Sequence, residues 1–386
     1  MLDLSEELHL FRRVLREYAE VKIEPLVPGL CAGTVDPVEV LRGLATAVGL
    51  GPGEGDGTLR LSFAYETTPT DDLAASLVLM TELARVSPGL ALVLGGSMGL
   101  VGGTIAASGT PDQQARWLGP LLRLESVGAW CLTESEAGSD AFGSMRTRAV
   151  LDGDAYVVKG SKTYISNAPL ADVFLVYARV TGGSDDGEVR AFVLDRSLPG
   201  LSTGPPLVKM GADESPTAEV FLDDVPATMD RVLGGAGAGG REAVKRSMTE
   251  ERGALPAIAL GIAERAYEVA LAHARNREQF GRPIGQFQAV QLRLARMAIA
   301  VEGCRHWVHR LVRGPRTPAV VCLAKAHTAE AAVFVASEAM LVLGGLGYLR
   351  DGRVEKLARD ARILEVGAGT TDINLLAAAR YELGLG

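Results

Sequence analysis

The chain has 386 residues, 47% of them hydrophobic and 22% charged, so it can bury large cores and we expect two or three domains. A net charge of −8, with basic residues scattered along the chain, excludes nucleic acid as the leading partner. The cysteines are widely spaced and the N-terminus is charged, which predicts a cytoplasmic protein with reduced thiols and no signal peptide. The four cysteines are Cys31, Cys131, Cys304 and Cys322.

The first third of the chain has helical periodicity. Leu8, Phe11, Leu15 and Tyr18 recur on one face, and residues 38–47 and 71–85 continue the pattern. A loop rich in Gly, Glu and Asp interrupts it at residues 51–57. These patterns predict an N-terminal helical domain over residues 1–127.

One uncharged segment, residues 86–111, is long enough to cross a bilayer. It contains proline, seven glycines and several hydroxyl side chains, which are unusual at this density in a membrane helix. We therefore predict a buried pair of helices, broken near Gly102 and Gly103, and no membrane partner.

The pattern changes to short alternating runs after residue 128. Residues 156–158, 173–178, 189–194 and 218–222 read as strands, with turn signals rich in Gly and Asp between them. They predict an antiparallel β domain over residues 128–240. Gly235, Gly237 and Gly240 match a dinucleotide-binding fingerprint, but long helices follow where a strand is needed, so the match is weak.

The last region, residues 241–386, is helical throughout. Helices are predicted over 241–275, 288–312, 317–343 and 353–366, and a final one over 373–385, which together indicate a four-helix bundle. Cys304, His306 and His309 suggest a metal cluster, but Cys304 lies on a different side of its helix from His309. We predict no metal.

Two loops carry polar groups that suit a bound ligand. Residues 131–140 offer the hydroxyls of Thr133 and Ser139 at a domain junction. The tail Gly367-Ala368-Gly369-Thr370 precedes a helix, whose free N–H groups form a natural site for an anion or a carbonyl oxygen. On the residues alone, an inter-domain loop and an ordinary turn between helices explain both equally well.

Taken in order and spacing, these motifs resemble the acyl-CoA dehydrogenase family of flavoproteins. The resemblance rests on residues 131–140, 162–167, 209–226, 275–288, 343–348 and 359–374. It implies FAD, an acyl thioester substrate carried by CoA or acyl carrier protein, an electron-transfer flavoprotein-like acceptor, and a homotetramer or homodimer. It also implies an α+β fold in which an antiparallel β-barrel lies between the helical domain and the bundle.

The resemblance also assigns roles to single residues. For the flavin ring it implies Leu132, Thr133 and Ser139, with Tyr164, Ile165 and Ser166 at its far side. For the rest of the cofactor it implies Arg277, Gln279 and Phe280 from a neighbouring subunit, together with Gln288, Gly344, Gly345, Gly347 and Thr370. For the substrate it implies Ser139, Arg252, Gly367 and Ala368.

The catalytic base is missing from its usual place. Most family members have a glutamate where this chain has Ala368, which cannot take a proton. The tail looks like that of the isovaleryl-CoA dehydrogenase subgroup, whose glutamate stands on the first bundle helix just before an arginine. This implies Glu251, which precedes Arg252, as the base, with the Ala368 N–H polarising the thioester carbonyl. Glu250 points about 100° away on the same helix, so only one of the two can face the flavin.

Two other interpretations stay open from the sequence. A flavin-dependent monooxygenase on the same fold would need no base at Glu251. A catalytically inactive flavoprotein scaffold would explain Ala368, and also Tyr164, which stands where the family has tryptophan.

Overall fold

The computed structural model describes residues 5–49, 70–235 and 240–385. The predicted loop at 51–57 and Gly237 of the glycine-rich match lie outside these residues. The glycine-rich stretch leads directly into a helix of 37 residues, Gly240–Asn276. All four cysteines are free in the structure.

Helices build the first region. Its helices are α1 (Glu6–Tyr18), α2 (Val27–Cys31), α3 (Pro37–Ala47), α4 (Thr70–Ala84), α5 (Pro88–Leu94), α6 (Gly103–Ser108), α7 (Pro111–Gln113) and α8 (Gly119–Leu122). They are connected by one 3₁₀ turn and by π-helical segments. The turn is Glu24–Leu26, and the π-helical segments are Ala19–Ile23, Gly95–Gly102 and Gln114–Leu118. The predicted apolar face of α1 is confirmed, because Leu8, Phe11 and Leu15 are buried.

Residues 88–108 form one continuous helix, so the predicted break is wrong. Gly102 and Gly103 have helical φ angles of −60° and −59°. Burial stabilises this glycine-rich helix against its low intrinsic propensity. This helix and Pro318–Leu343 are long and apolar enough to cross a membrane, but 72% and 78% of their most apolar windows are buried in the protein. The absence of a membrane partner stays a prediction.

Seven strands form a single curled sheet. They are β1 (Gly128–Cys131), β2 (Arg148–Asp152), β3 (Ala155–Ser166), β4 (Val173–Thr181), β5 (Val189–Asp195), β6 (Leu201–Thr203) and β7 (Thr217–Thr228). Their order is β1-β4-β2-β3-β7-β6, with β5 on the other edge of β4. The prediction of an antiparallel domain is wrong at one point, because β4 runs parallel to both β1 and β2. A short 3₁₀ turn, Met229–Arg231, follows the sheet.

The last region is the predicted helical bundle. It contains α9 (Gly240–Asn276), a hairpin of β8 (Glu278–Gln279) and β9 (Arg282–Pro283), α10 (Gln288–Arg313), α11 (Pro318–Leu343), α12 (Gly345–Tyr348), α13 (Val354–Ala361), α14 (Ile363–Val366) and α15 (Thr371–Glu382). Short 3₁₀ turns lie at Ile284–Gln286 and Arg350–Gly352. The predicted helix 353–366 is divided at Arg362, and the last helix begins at Thr371 because the Thr370 side chain caps it.

The first and last regions share one apolar core. Leu77 and Leu90 of the N-terminal helices belong to the same buried cluster as Ile262 and Ala336 of the bundle. A second core lies within the curled sheet, and a third joins the sheet to helices of the first region and to Val244 of α9. Because α9 contributes to two cores, it fixes the sheet against the bundle. The predicted domain boundaries at residues 127 and 240 stay predictions.

Candidate active site

The loop after β1 is anchored by a buried ion pair. Lys162 of β3 is buried, and its Nζ donates to the Leu132 carbonyl at 3.0 Å and to Glu134 Oε1 at 2.9 Å. The Glu134 carboxylate also accepts the N–H groups of Arg146 and Thr147. Burial opposes ionisation of Glu134, but Lys162 and these N–H groups prevail and lower its pKa to about 2. The pair therefore holds this loop in one conformation.

Strand β3 leaves the regular sheet at Tyr164. The pairing of β3 with β7 shifts between Lys162 and Ile165, and Tyr164 has a φ of +57°, which non-glycine residues rarely adopt. Ile165 is buried, whereas the ring of Tyr164 is 68% exposed. The N–H of Thr163 donates to the Thr133 carbonyl at 2.9 Å. The structure therefore brings the predicted segment 164–166 beside the Thr133 loop, with a strained residue of the kind that clusters at functional sites.

Ser139 and Ser166 remain on the surface of this region. Both are exposed, and within the described residues no hydrogen bond joins Ser139 to Thr133 or Tyr164. The turn after Ser139 is held by Asp140, whose carboxylate accepts the Gly143 N–H at 3.0 Å. The predicted roles of both serines stay predictions.

The tail loop is held by three side chains that donate to its carbonyls. Arg252 Nε lies 3.1 Å from the Ala368 oxygen, and Lys325 Nζ lies 2.7 Å from the Gly369 oxygen. Asn374 Nδ2 lies within 3.0 to 3.3 Å of the oxygens of Ala368, Gly369 and Thr370. Ala368 has a φ of +54°, and no hydrogen bond within the described residues uses its N–H. The carbonyl oxygens of the loop are thus hydrogen-bonded, and the N–H of Ala368 remains available as a donor.

The structure separates the two neighbouring glutamates of α9. Glu250 is buried, and its Oε2 lies 3.8 Å from where a Cβ on Gly103 would stand. Glu251 is half-buried on another side of the helix, where it interacts with Arg252 and Lys325. Burial raises the pKa of Glu251 to about 7, although these two positive charges oppose the rise. A carboxyl group with such a pKa can take a proton near neutral pH.

Helix α9 is fixed close to these glutamates. The Trp130 Nε1–H donates to the Tyr177 hydroxyl at 3.0 Å, and this hydroxyl lies 3.2 Å from the hydroxyl of Ser247, one turn before Glu251. Burial raises the pKa of Tyr177 to about 12, so the phenol stays neutral. Pro256 lies inside α9 and has no N–H to donate to the carbonyl four residues earlier. The sheet therefore sets the position of this part of α9 through side chains.

The residues predicted to bind the rest of the cofactor lie apart from Glu251 in the chain. Arg277, Gln279 and Phe280 lie at the far end of α9, around the hairpin, and Phe280 is 93% exposed with a φ of +53°. Phe280 contacts Phe287 edge-on, with ring centroids 6.0 Å apart. Gln288 is exposed at the start of α10. Within the described residues, no hydrogen bond or ion pair connects this group to the Thr133 loop or to the tail.

The glycines after α11 differ from one another. Gly344 ends α11 with a φ of +61°, and a Cβ on Gly344 or Gly345 would meet nothing within 4 Å, so this backbone is open to a bound group. A Cβ on Gly347 would lie 2.3 Å from the Met340 carbonyl oxygen, which gives this glycine a packing role. Thr370 caps α15, its hydroxyl accepting the Ile373 N–H at 3.2 Å.

Sequence reasoning missed three residues of this region. Lys162 and Asn374 appear in the sequence analysis only as members of longer motifs, and Lys325 does not appear in it. Lys325 had a detectable signal, because it is a buried charge in the largely apolar helix α11. Asn374 had none, since a polar residue in the first turn of a helix is ordinary.

Cys304 and His306, two members of the candidate metal cluster on α10, differ in their exposure to solvent. Cys304 is fully buried, whereas His306 is exposed and its Nδ1 lies 2.7 Å from the carbonyl oxygen of Glu302 in its own helix. In the part of the chain that the structure describes, no group of three or more His, Cys, Asp or Glu side chains is arranged to hold a metal ion.

Comparison with known proteins identifies the family. Family models for the N-terminal, middle and C-terminal domains of acyl-CoA dehydrogenase match residues 5–125, 129–225 and 238–383. The short-chain specific acyl-CoA dehydrogenase of Clostridium acetobutylicum is 31% identical over 97% of this chain and 97% of its own length. The predicted three-part α+β fold is thereby confirmed.

Two solved structures have a fold similar to that of this chain. An acyl-CoA dehydrogenase complexed with FAD from Bacillus anthracis has a TM-score of 0.87 and 26% identity, covering 99% of this chain and 68% of the other. A structure described as an electron transferring flavoprotein of Acidaminococcus fermentans also has a TM-score of 0.87, with 29% identity and 99% of both chains covered.

The residues present fit a flavin cofactor. The exposed ring of Tyr164 and the hydroxyl of Thr133 lie on adjoining segments, which offer a flat surface and a polar group to a planar ring. The open backbone at Gly344 and Gly345 lets a larger group approach closely. The chain belongs to the acyl-CoA dehydrogenase family, whose members use FAD, and it is an oxidoreductase that acts on the CH–CH group of acyl-CoA.

Proposed function

We propose that Glu251 is the catalytic base, in the arrangement of the isovaleryl-CoA dehydrogenase subgroup. The observation that carries the proposal is a carboxyl group with a pKa of about 7 on α9, next to the arginine that binds the tail carbonyl of Ala368. Ala368 itself offers no acid. Glu250 is a poorer base because its carboxylate faces Gly103 on α6 instead.

Each residue then has a definite task. The Ala368 N–H donates to the thioester carbonyl, which acidifies the α-hydrogen, and Glu251 removes this hydrogen as a proton. Thr133, Tyr164 and the open backbone at Gly344 would hold FAD, which would supply an acceptor for the β-hydrogen and its electron pair, so that the product would be the α,β-unsaturated thioester. Arg252 holds the tail carbonyl behind the reacting group and stabilises the ionised form of Glu251.

The finer statements about partners are also proposals. We infer that the protein assembles as a homotetramer or homodimer, supported by the 93% exposure of Phe280 on a hairpin expected to reach a neighbouring cofactor. We infer an electron-transfer flavoprotein-like acceptor and a cytoplasmic location, the latter supported by four unpaired cysteines. Besides CoA, the carrier that the relatives' names support, we infer acyl carrier protein as an alternative carrier of the acyl group.

Anaerobic bleaching of the flavin tests the proposal. The purified holoprotein is mixed with straight-chain, branched and dicarboxylic acyl-CoA thioesters, and with the same acyl groups on acyl carrier protein. Wild type and Glu250→Gln should bleach, while Glu251→Gln should bleach about 10³-fold more slowly, as expected for loss of a general base.

Other outcomes decide between the alternatives. Equal rates for wild type and Glu251→Gln would reject Glu251 as the base. No bleaching with any thioester would reject dehydrogenation. Reoxidation of the reduced flavin by oxygen with hydroxylation of an added substrate would favour the monooxygenase.

A further inference from the structure

Lys325 is a buried cation without a carboxylate partner. It lies in the middle of α11 and is 0% exposed, yet within the described residues no carboxylate oxygen lies within 4.0 Å of its Nζ. Among the described residues, the Nζ of Lys325 has a single hydrogen-bond partner, the Gly369 carbonyl at 2.7 Å, which lies 44 positions away in the chain. Burying an ammonium group is unfavourable unless the group is paired with an opposite charge and hydrogen-bonded. We therefore ask what the contact between Lys325 and Gly369 does.

The surroundings of Lys325 belong to the proposed active site. Charged or titratable groups face it from three elements: Glu251 and Arg252 on α9, Cys322 on its own helix, and Glu365 on α14. Burial and the charge of Arg252 lower the pKa of Lys325 to about 8, while the three acidic groups oppose the change. Lys325 in turn favours the ionised form of Glu251.

The contact of Lys325 fixes one side of the strained residue Ala368. The carbonyl of Ala368 is held by Arg252 and Asn374, and the next carbonyl, that of Gly369, is held by Lys325 and Asn374. A left-handed alanine persists only where its surroundings hold both neighbouring peptide units. The loop is closely packed, since a Cβ on Gly369 would lie 3.4 Å from Arg252 Nη2.

We propose that Lys325 is a positioning residue of the thioester site. It holds the Gly369 carbonyl inside the bundle, so that the Ala368 N–H stays available to the thioester carbonyl, and its charge stabilises the ionised form of Glu251. This inference rests on the proposed function for the chemistry, whereas the hold on the tail can be measured without any reaction.

Hydrogen–deuterium exchange of the holoprotein tests the hold on the tail. Lys325→Met removes the donor and the charge while keeping a similar side-chain volume, and Lys159→Met is a matched control on the exposed surface of β3. We expect the amides of residues 367–370 to exchange about tenfold faster in Lys325→Met, because the loop loses one of its anchors. They should be unchanged in Lys159→Met.

The pH profile of flavin reduction at saturating thioester tests the electrostatic role. Removing a positive charge near Glu251 should raise the pH at which the rate falls on the acid side by about one unit in Lys325→Met. A purely structural defect would lower the rate without moving this limb. Lys325→Arg keeps the charge and should leave the limb in place.

The outcomes separate the two proposals. Unchanged tail exchange together with an unchanged acid limb would overturn the role of Lys325. If no thioester reduces the flavin in wild type, the proposed function fails, and the exchange data alone still decide whether Lys325 holds the tail. If Lys325→Met does not fold, Lys325→Arg decides: tail protection, expressed relative to the intrinsic amide exchange rate at each pH, should fall in wild type above pH 8 as the lysine loses its charge. This fall should be absent in the arginine variant, which stays charged.

Discussion

Two lysines of this protein are buried to the same degree but are used in opposite ways. Lys162, in the sheet, donates to a carboxylate at 2.9 Å, and that carboxylate keeps a pKa of about 2. Lys325, in the bundle, donates to a backbone carbonyl, and its pKa falls to about 8. Lys162 forms an ion pair with Glu134. Lys325 instead places its positive charge near Glu251, a carboxyl group whose pKa is about 7.

The difference shows how burial serves structure in one place and chemistry in the other. At Lys162 the positive and negative charges compensate each other: burial lowers the pKa of the lysine, but the Glu134 carboxyl keeps a pKa of about 2, and the pair fixes the loop geometry. At Lys325 the compensation is incomplete, so the pKa values of Lys325 and Glu251 both move toward neutrality. Groups that must exchange protons at physiological pH need this second kind of surrounding.

The largest expected effect is on the charge pair. Lys162→Met leaves the Glu134 carboxylate buried without its ammonium and should lower the free energy of unfolding by about 3–5 kcal/mol at pH 7. Urea titration with saturating flavin measures it. The double variant Lys162→Met/Glu134→Gln should recover part of the loss, because it removes the uncompensated charge. A loss below about 1 kcal/mol in Lys162→Met would mean that the pair does not anchor the loop.

The second expected effect is an acid dependence that comes from Glu134. Because its folded pKa lies below the ordinary value of 4.5, its contribution to stability is present above pH 4.5 and is lost as pH falls toward 2. The difference in unfolding free energy between wild type and Glu134→Gln should therefore shrink by about 2 kcal/mol between pH 5 and pH 2. A difference that stays constant over this range would contradict the assignment.

The third expected effect has the opposite sign and comes from Glu251. Its folded pKa is raised to about 7, so the folded state binds more protons than the unfolded state between pH 4.5 and 7, and its contribution to stability is lost as pH rises. Glu251→Gln should gain about 1 kcal/mol relative to wild type between pH 4.5 and 7, a value reduced for its partial exposure. Thermal unfolding at both pH values checks the sign, with Glu250→Gln as the neighbouring control.

The last prediction compares the two lysines directly, and the change expected in the free energy of unfolding is again small. Lys325→Met loses one hydrogen bond to a carbonyl but no longer buries an ammonium, so the two changes offset and the free energy of unfolding should fall by only about 1 kcal/mol. The same urea titration that is used for Lys162→Met measures it. Equal losses in the two variants would show that both lysines are structural.

Local patterns predicted much of the fold. The apolar face of α1 and the long helices α10 and α11 follow from spacings within a few turns, and these are confirmed. The parallel pairing of β4 with β1 was missed because the two strands lie about 45 residues apart and strand direction is not encoded in either one. The break at Gly102 is predicted from the proline, glycine and hydroxyl content of the segment, but burial of 72% of its most apolar window stabilises a continuous helix.

The order of helices and strands, the motifs that indicate a flavoprotein family and the lack of an acid at Ala368 can be read from the amino-acid sequence. That Glu250 and Glu251 face different neighbours, and that Lys325 reaches the tail, follows from packing between distant segments. Arg252 and Ala368 lie 116 positions apart, and Lys325 and Gly369 lie 44 apart, so no periodicity connects them. The pKa of a carboxyl group depends on which charges and how much water surround it, and these are set by packing between elements that are distant in the chain.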